Sequence, residues 1–242
     1  MTELPERLFS NPVWHALHGR HRHLAIVEGA ACRYPADVAP FAAIAAPTGN
    51  ALVELRSLLA PDEFVWIAAY GRTVPGLAVV ATLDCVQMVL PADVELPPQS
   101  AEVLPLTAAN AQEMVALTDA AFPGFFRAKT YRMGFYCGIR VGGELAAMAG
   151  ERLWLDGYPE LSGICTHPVH RGKGFASDVI AHLVRRHRRE GLISWLHVGA
   201  ENTRAIDLYT SLGFERVRTL VLHCIARRPL RVVPLPGVTP RP

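Results

Sequence analysis

"ICTHPVHRGKGFASDVIAHLV", residues 164–184, carries the pattern on which the reading of this chain turns. A short apolar run meets a proline, two glycines flank Lys173, and an amphipathic repeat begins at once, with Phe175, Ala176, Val179, Ile180, Leu183, Val184 and His187 on one helical face. Strand, glycine turn and helix start, in that order, make an anion site. The first amides of a helix have no intrahelical acceptor, and the helix dipole adds positive potential there. No Asp, Ser, Thr or Asn lies between 168 and 176 to cap them, so the pattern calls for an external acceptor, most simply a phosphate. Gly172 and Gly174 let the backbone approach closely, while Arg171 and Lys173 add charge.

The flanking segments set the topology. Upstream, "FYCGIRV" and "ELAAMAGERLW" alternate like strands and are joined by Gly142 and Gly143; a second turn at Asp156 and Gly157 leads into "PELSGICTHP", which completes an antiparallel meander. Before it, Ala111, Met114, Val115, Thr118 and Phe122 share a helical face, with Thr107 available as a cap. Downstream, "ISWLHVGA" is a strand reached through a helix, which makes it a parallel neighbour of the strand before the glycines. "NTRAIDLYTSLGF" is a short helix opened by Asn202 and closed by Gly213, and "FERVRTLVLHCIA" is a final strand.

Prolines crowd residues 91–105, where apolar periodicity stops, and mark a linker. The expected division is an accessory domain over 1–98, a second domain over 104–230 and an irregular tail over 231–242. In the first part "FVWIAAY" and "LAVVATLDCVQMVL" are strand-like and "NALVELRSLLA" is helical. "RHRH" at 20–23 is an exposed basic turn on this reading, and the arginines after Val184 are a solvated helix end that complements the dipole.

Composition excludes several classes. With 242 residues, half of them hydrophobic, the chain supports a large core, and a formal charge of +2 points to neither a nucleic-acid nor a polyacid partner. Five scattered cysteines, none in C-x-x-C, fit neither a disulfide framework nor a metal site. The first residues lack the apolar core of a signal peptide, and no run approaches the roughly eighteen apolar residues that span a bilayer. The expectation is a cytoplasmic protein with no membrane and no nucleic-acid partner; the oligomeric state stays open, a homodimer among the options.

Three phosphate motifs compete for the glycine turn. The P-loop pattern is absent from the sequence. A dinucleotide fingerprint is matched in part by Gly172, Gly174 and Ser177, with Glu201 ending the next strand, yet too few residues follow for a doubly wound sheet and hairpins precede it. The third is R-x-x-G-x-A, supplied by Arg171, Gly174 and Ala176. Together with the later Asn202, Ala205, Leu208, Tyr209, Gly213 and Phe214, it resembles the GNAT N-acetyltransferase superfamily over residues 104–227.

That resemblance implies an α+β fold with a mixed, mainly antiparallel sheet flanked by helices, the first half being either a degenerate copy of the same fold or a substrate-shaping module. It implies acetyl-CoA as cosubstrate, its pyrophosphate on the amides of residues 171–176 (Arg171, Gly172, Lys173, Gly174, Phe175 and Ala176) and its pantetheine along Ile164, Cys165 and Thr166. Asn202 would serve CoA or cap its helix, and Tyr209 matches the family's general acid. The acceptor is a small-molecule or peptidyl amine, and no metal is expected. An alkyl amine with a pKa near 10.4 needs deprotonation, for which Glu160 and Glu151 are the candidates and His167 a lesser one. Phe125, Phe126 and Tyr131 fall where the family forms part of its acceptor site. Direct attack is favoured over a covalent route through Cys165, which has no activating neighbour pattern. The rival reading is a non-catalytic CoA-binding regulatory protein; a dinucleotide-dependent oxidoreductase is a weaker one.

Overall fold

The computed structural model describes residues 5–68, 74, 76–229 and 239–240. The chain opens with two short helices, α1 (Glu6–Ser10) and α2 (Pro12–His18), followed by a small antiparallel sheet of β1 (Ile26–Glu28), β2 (Ala31–Arg33) and β3 (Ala42–Ile44). Helix α3 (Gly49–Ser57), capped by the Thr48 hydroxyl on the Ala51 amide, leads to β4 (Phe64–Ala68) and the long β5 (Ala78–Val89). The last two residues of the expected "FVWIAAY" strand lie outside the described residues. After the proline-rich stretch come β6 (Leu104–Leu106), α4 (Ala111–Ala121), β7 (Tyr136–Val141), β8 (Glu144–Leu155) and β9 (Tyr158–Thr166). Helix α5 (Phe175–Arg189), β10 (Trp195–Gly199), α6 (Thr203–Ser211) and β11 (Glu215–Ala226) follow. The tail read as irregular lies outside the described residues except β12 (Thr239–Pro240).

The large sheet runs β4-β11-β5-β10-β9-β8-β7-β6, with β12 also beside β5. Every pair is antiparallel except β9 and β10, which the α5 crossover makes parallel. The structure is therefore α+β, mixed and mainly antiparallel. Strand β5 lies between β10 and β11, so the linker read at residues 91–105 runs between strands of one sheet. The linker is also pinned to α5. Asp178 accepts from the Ser100 amide and hydroxyl and the Ala101 amide, while Arg185 and Arg188 donate to the Pro97 and Pro91 carbonyls. The expected solvated helix end is in this respect a clamp.

Strand alternation sorts the sheet into two faces. Helices α5 and α6 lie on one, where Val179, Ile180, Leu183, Val184 and Ile206 pack on Ala147, Ala149, Leu161, Leu196 and Val198. The other face is covered by α4, through Met114 and Leu117 on Met148 and Cys165, and by α1 and α2, through Phe9, Val13 and Leu17 near Trp195 and Leu153.

Two bulges between β8 and β9 adjust this alternation near the site. One extra residue in β9 between Ser162 and Cys165 coincides with Gly163 at φ +61°, and one in β8 sets Arg152 and Leu153 together opposite Glu160. His21, read as part of an exposed turn, is 2% exposed: Tyr34 Oη donates to its Nδ1 at 2.8 Å and its Nε2 donates to the Met133 carbonyl at 2.8 Å.

Candidate functional site

Strands β9 and β10 pair at two positions, Glu160 with Trp195 and Leu161 with Leu196, and then diverge. The bulge with Gly163 in left-handed conformation bends β9 immediately past the last pair, a local cause for the splay. Between the diverging strands lies a cavity of about 610 Å³.

At one end of the cavity stands the glycine turn. Gly172 and Gly174 have φ of +80° and +79°, a region that favours glycine, and no atom of the described residues lies within 4 Å of where a Cβ would stand on either. Gly174 is the residue before α5 and supplies no side-chain cap. The amides of residues 172–177 have no acceptor among the described residues, whereas that of Arg171 donates to the Pro168 carbonyl at 3.3 Å. Of the amides expected to bind phosphate, 171–176, that of Arg171 is therefore engaged, although the residue lines the cavity. Lys173, Phe175, Ala176 and Ser177 line the same end, and Arg204 from α6, a cation that the motif did not announce, also lines the cavity.

Ile164, Cys165 and Thr166 form the β9 wall, and the buried Thr166 hydroxyl has no partner among the described residues. Asn202 lines the cavity and also caps α6, its Oδ1 accepting from the Ala205 amide at 3.2 Å, so the two readings of this residue are compatible. Tyr209 faces in from α6, 7% exposed, its hydroxyl without a protein partner among the described residues. Burial pushes its pKa above the usual phenol value, so it remains a proton donor at neutral pH. Burial likewise pushes the Cys165 thiol up to about 12, which leaves no thiolate for covalent catalysis.

The other end of the cavity opens on the α1–α2 face. Its wall contains Phe41, Leu83, Cys85, Phe122, Phe125, Arg152, His197 and Leu222, several of them from the first half of the chain. Phe125 stacks between Phe41 and Phe122 at centroid distances of 6.0 and 5.9 Å. Phe126 and Tyr131, read as acceptor-side aromatics, instead pack with Met114, Leu117 and Tyr136 under α4.

The two glutamates read as bases are placed on opposite faces, and neither lines the cavity. Glu151 lies under α5, accepting from the Phe135 amide at 2.9 Å and facing His187 Nε2 at 3.1 Å. Glu160 is fully buried on the other face, where it accepts from Arg152 Nε and Nη2 at 2.9 and 2.6 Å, His197 Nδ1 at 2.6 Å and the Leu153 amide at 3.1 Å. Burial would raise its pKa, but Arg152 and His197 outweigh that and hold it at about 2. Both oxygens are thus committed, and the carboxylate is a weak base. His197 is in turn fixed by Gln87, whose Nε2 lies 3.0 Å from the ring Nε2 and 2.9 Å from the Phe9 carbonyl. His167, the lesser candidate, is outside the cavity wall, its Nδ1 buried and without a hydrogen-bond partner among the described residues.

Among the described residues, no three His, Cys, Asp or Glu side chains converge as a metal site, and no helix is long and apolar enough to cross a membrane.

Residues 136–222 match the family model described as FR47-like protein. The chain is 33% identical to a protein from Novosphingobium aromaticivorans whose crystal structure is described as an acetyltransferase from the GNAT family, at a TM-score of 0.81 over 90% of this chain and 97% of that one. A GCN5-related N-acetyltransferase from Kribbella flavida shares the fold at a TM-score of 0.61 and 20% identity, over 93% of this chain and 96% of its own. Among curated proteins, the ribosomal protein bS18 alanine N-acetyltransferase of Escherichia coli is 35% identical over 74 residues, 30% of this chain and 49% of that enzyme, so the chain spans about half its length. The N-alpha-acetyltransferase RimI of Mycobacterium tuberculosis is 31% identical over 123 residues, 46% of this chain and 77% of that protein.

Proposed function

The chain belongs to the GNAT family of acetyltransferases, and from that premise we propose that it moves the acetyl group of acetyl-CoA onto a primary amine by direct attack. One observation carries this reading: a continuous cavity joins the uncapped amides at the start of α5 to the Tyr209 hydroxyl and, through the β9–β10 gap, to an apolar chamber on the opposite face.

The residues fit such a cosubstrate. The amides of 172–177, with Arg171 and Lys173 in the same turn, suit a pyrophosphate, and the open space at Gly172 and Gly174 leaves room for it. Beyond Leu161 the β9 edge has no partner on its β10 side among the described residues, so backbone groups there and the Thr166 hydroxyl are available to a pantetheine arm. Acetyl-CoA supplies the thioester. Backbone amides along that edge would stabilise the developing oxyanion, and Tyr209 would protonate the departing thiolate. The elevated Cys165 pKa supports a single-step transfer without an acyl-enzyme.

No carboxylate is among the described residues that line the cavity, and this bears on the acceptor. Of the two imidazoles on the wall, His197 has both ring nitrogens engaged by Glu160 and Gln87, and His170 contacts Lys173 of the glycine turn, so no unengaged base of the described residues stands at the acceptor end and the amine has to arrive unprotonated. An α-amine, with a pKa of about 7.7–8.0 against about 10.4 for lysine, has a neutral fraction roughly two hundred times larger at pH 7.5. The names of the Escherichia coli and Mycobacterium tuberculosis relatives point to α-amines as well. We therefore favour an α-amine acceptor.

The test is thiol release from acetyl-CoA with a panel of α-amines and alkyl amines, scored together with the acetylated product. Matched release and product, faster with α-amines at pH 7.5, is the expected result. Acetyl-CoA that raises the melting temperature while no amine releases thiol would leave a CoA-binding protein and refute the reading.

A further inference from the structure

Arg152 stands in the wall of the chamber, although acetyl transfer to an amine requires no cation on that side. Its Nε and Nη2 are engaged by Glu160 at 2.9 and 2.6 Å, and its guanidinium lies 4.9 Å from the centre of the Phe41 ring. Nη1 has no hydrogen-bond acceptor among the described residues, and it carries two N–H groups. The side chain reaches this position because the β8 bulge sets Arg152 and Leu153 together against Glu160. What Nη1 can bind follows from charge. Glu160 accepts from both Arg152 and His197, and the donor Gln87 Nε2 facing His197 Nε2 suits an uncharged ring, so Arg152 and Glu160 cancel; an ionised carboxylate at Nη1 would bring an uncompensated charge into a largely apolar chamber, whereas a neutral carbonyl oxygen would not.

The surroundings of this donor are aromatic. Phe41, Phe125 and Phe122 form a stack, and Leu83 and Leu222 complete an apolar surface. Phe41 and Leu83 come from the first half of the chain, which gives that half a part in the choice of acceptor.

Resting on the N-acetyltransferase reading above, we propose that the chamber selects an acceptor whose amine is followed by a neutral carbonyl and carries a large apolar or aromatic side chain, as in the first residue of a peptide or an amino-acid amide, with Arg152 Nη1 donating to the carbonyl oxygen. Arg152 is on this account a specificity-determining residue, and the Phe41, Phe122 and Phe125 stack sets the side-chain preference.

The test measures binding to the CoA-loaded full chain by calorimetry, with affinities expressed per unprotonated amine. The ligands are phenylalaninamide, phenethylamine, phenylalanine and glycinamide, which vary the carbonyl, its charge and the ring. Phenylalaninamide should bind at least about tenfold more tightly than each of the others, the size of one charge-assisted hydrogen bond or one buried ring. The double variant Arg152→Met with Glu160→Gln removes both charges together, so that neither is left buried alone, and it should bring phenylalaninamide to the affinity of phenethylamine while acetyl-CoA affinity stays within about twofold. Equal binding of phenylalaninamide and phenethylamine, or tighter binding of phenylalanine, overturns the proposal, and that comparison needs no variant. Discrimination that survives in the double variant overturns the role of Arg152. If the four ligands are ranked as expected and no acetyl group appears on the amide, the transferase reading has failed and the acceptor selectivity stands.

Discussion

Replacing Tyr209 with Phe removes one hydroxyl from the cavity wall and leaves the ring. In the free protein that hydroxyl is without a protein partner among the described residues, and the side chain is 7% exposed. Its removal should therefore leave thermal stability within about 0.5 kcal/mol of the parent, or slightly higher, because no hydrogen bond is lost. Catalysis should respond very differently. Burial holds the phenol above its usual pKa, so it is a donor across the neutral range, and loss of a positioned general acid costs about 10²–10⁴ in rate, or about 3–5 kcal/mol in the barrier. Single-turnover rapid quench with acetyl-CoA and saturating amine reads the chemical step; calorimetry reads cosubstrate affinity, expected within about twofold. The deficit should shrink with thioesters of more acidic thiols, which leave without a proton. An unchanged single-turnover rate, or a rate loss matched by lost stability, would refute the assignment.

Other expectations follow from the same geometry. Gly174→Asp forces a side chain into a position with φ +79° and sets a carboxylate among the cradle amides, so acetyl-CoA affinity should fall by at least about tenfold; Arg171→Ala should lower it by about tenfold, with both variants still folded by circular dichroism. Cys165→Ala should retain single-turnover chemistry within a fewfold, since the thiol is protonated; a dead but folded variant would reopen a covalent route. His21 is held neutral mainly by burial, its pKa lowered from 6.5 to about 4, so between these values the unfolded chain binds the extra proton. Its contribution is therefore complete above pH 6.5 and is lost as pH falls toward 4, about 3 kcal/mol in all. Urea unfolding at pH 7 and 4.5 should show this loss, and a folded His21→Gln variant should lack most of it.

The elements around the glycine turn were legible because local chemistry marks them. Gly142, Gly143 and Gly157 announce tight turns, Asn202 and Gly213 bracket α6, and the lack of a capping side chain at the start of α5 is visible without tertiary information. All ten residues read as the cosubstrate site, and Tyr209, line the cavity. What was hidden depends on phase and distance. Glu151 and Glu160 look equivalent in the sequence, but β-alternation puts them on opposite faces, and partners such as Arg152, His197 and His187 come from other strands or a helix. The β8 bulge that shifts this phase has no glycine to signal it. Insertion of β5 between β10 and β11 is a long-range pairing that no local pattern encodes, and with it went the contribution of Phe41, Leu83 and Cys85 to the chamber. The histidine in "RHRH" read as exposed because its partners, Tyr34 and Met133, are distant in sequence.

The central claim is that one cavity holds acetyl-CoA at the α5 end and an amine at the other, and transfers the acetyl group between them. The most direct measurement follows CoA thiol release and N-acetyl product in one reaction, with acetyl-CoA and an α-amine acceptor, for the parent chain and for Tyr209→Phe. The account predicts one acetylated amine per thiol in the parent and a loss of about 10²–10⁴ in the chemical rate in the variant at nearly unchanged acetyl-CoA affinity. Thiol release without acetylated amine, or equal rates in the two proteins, would contradict it.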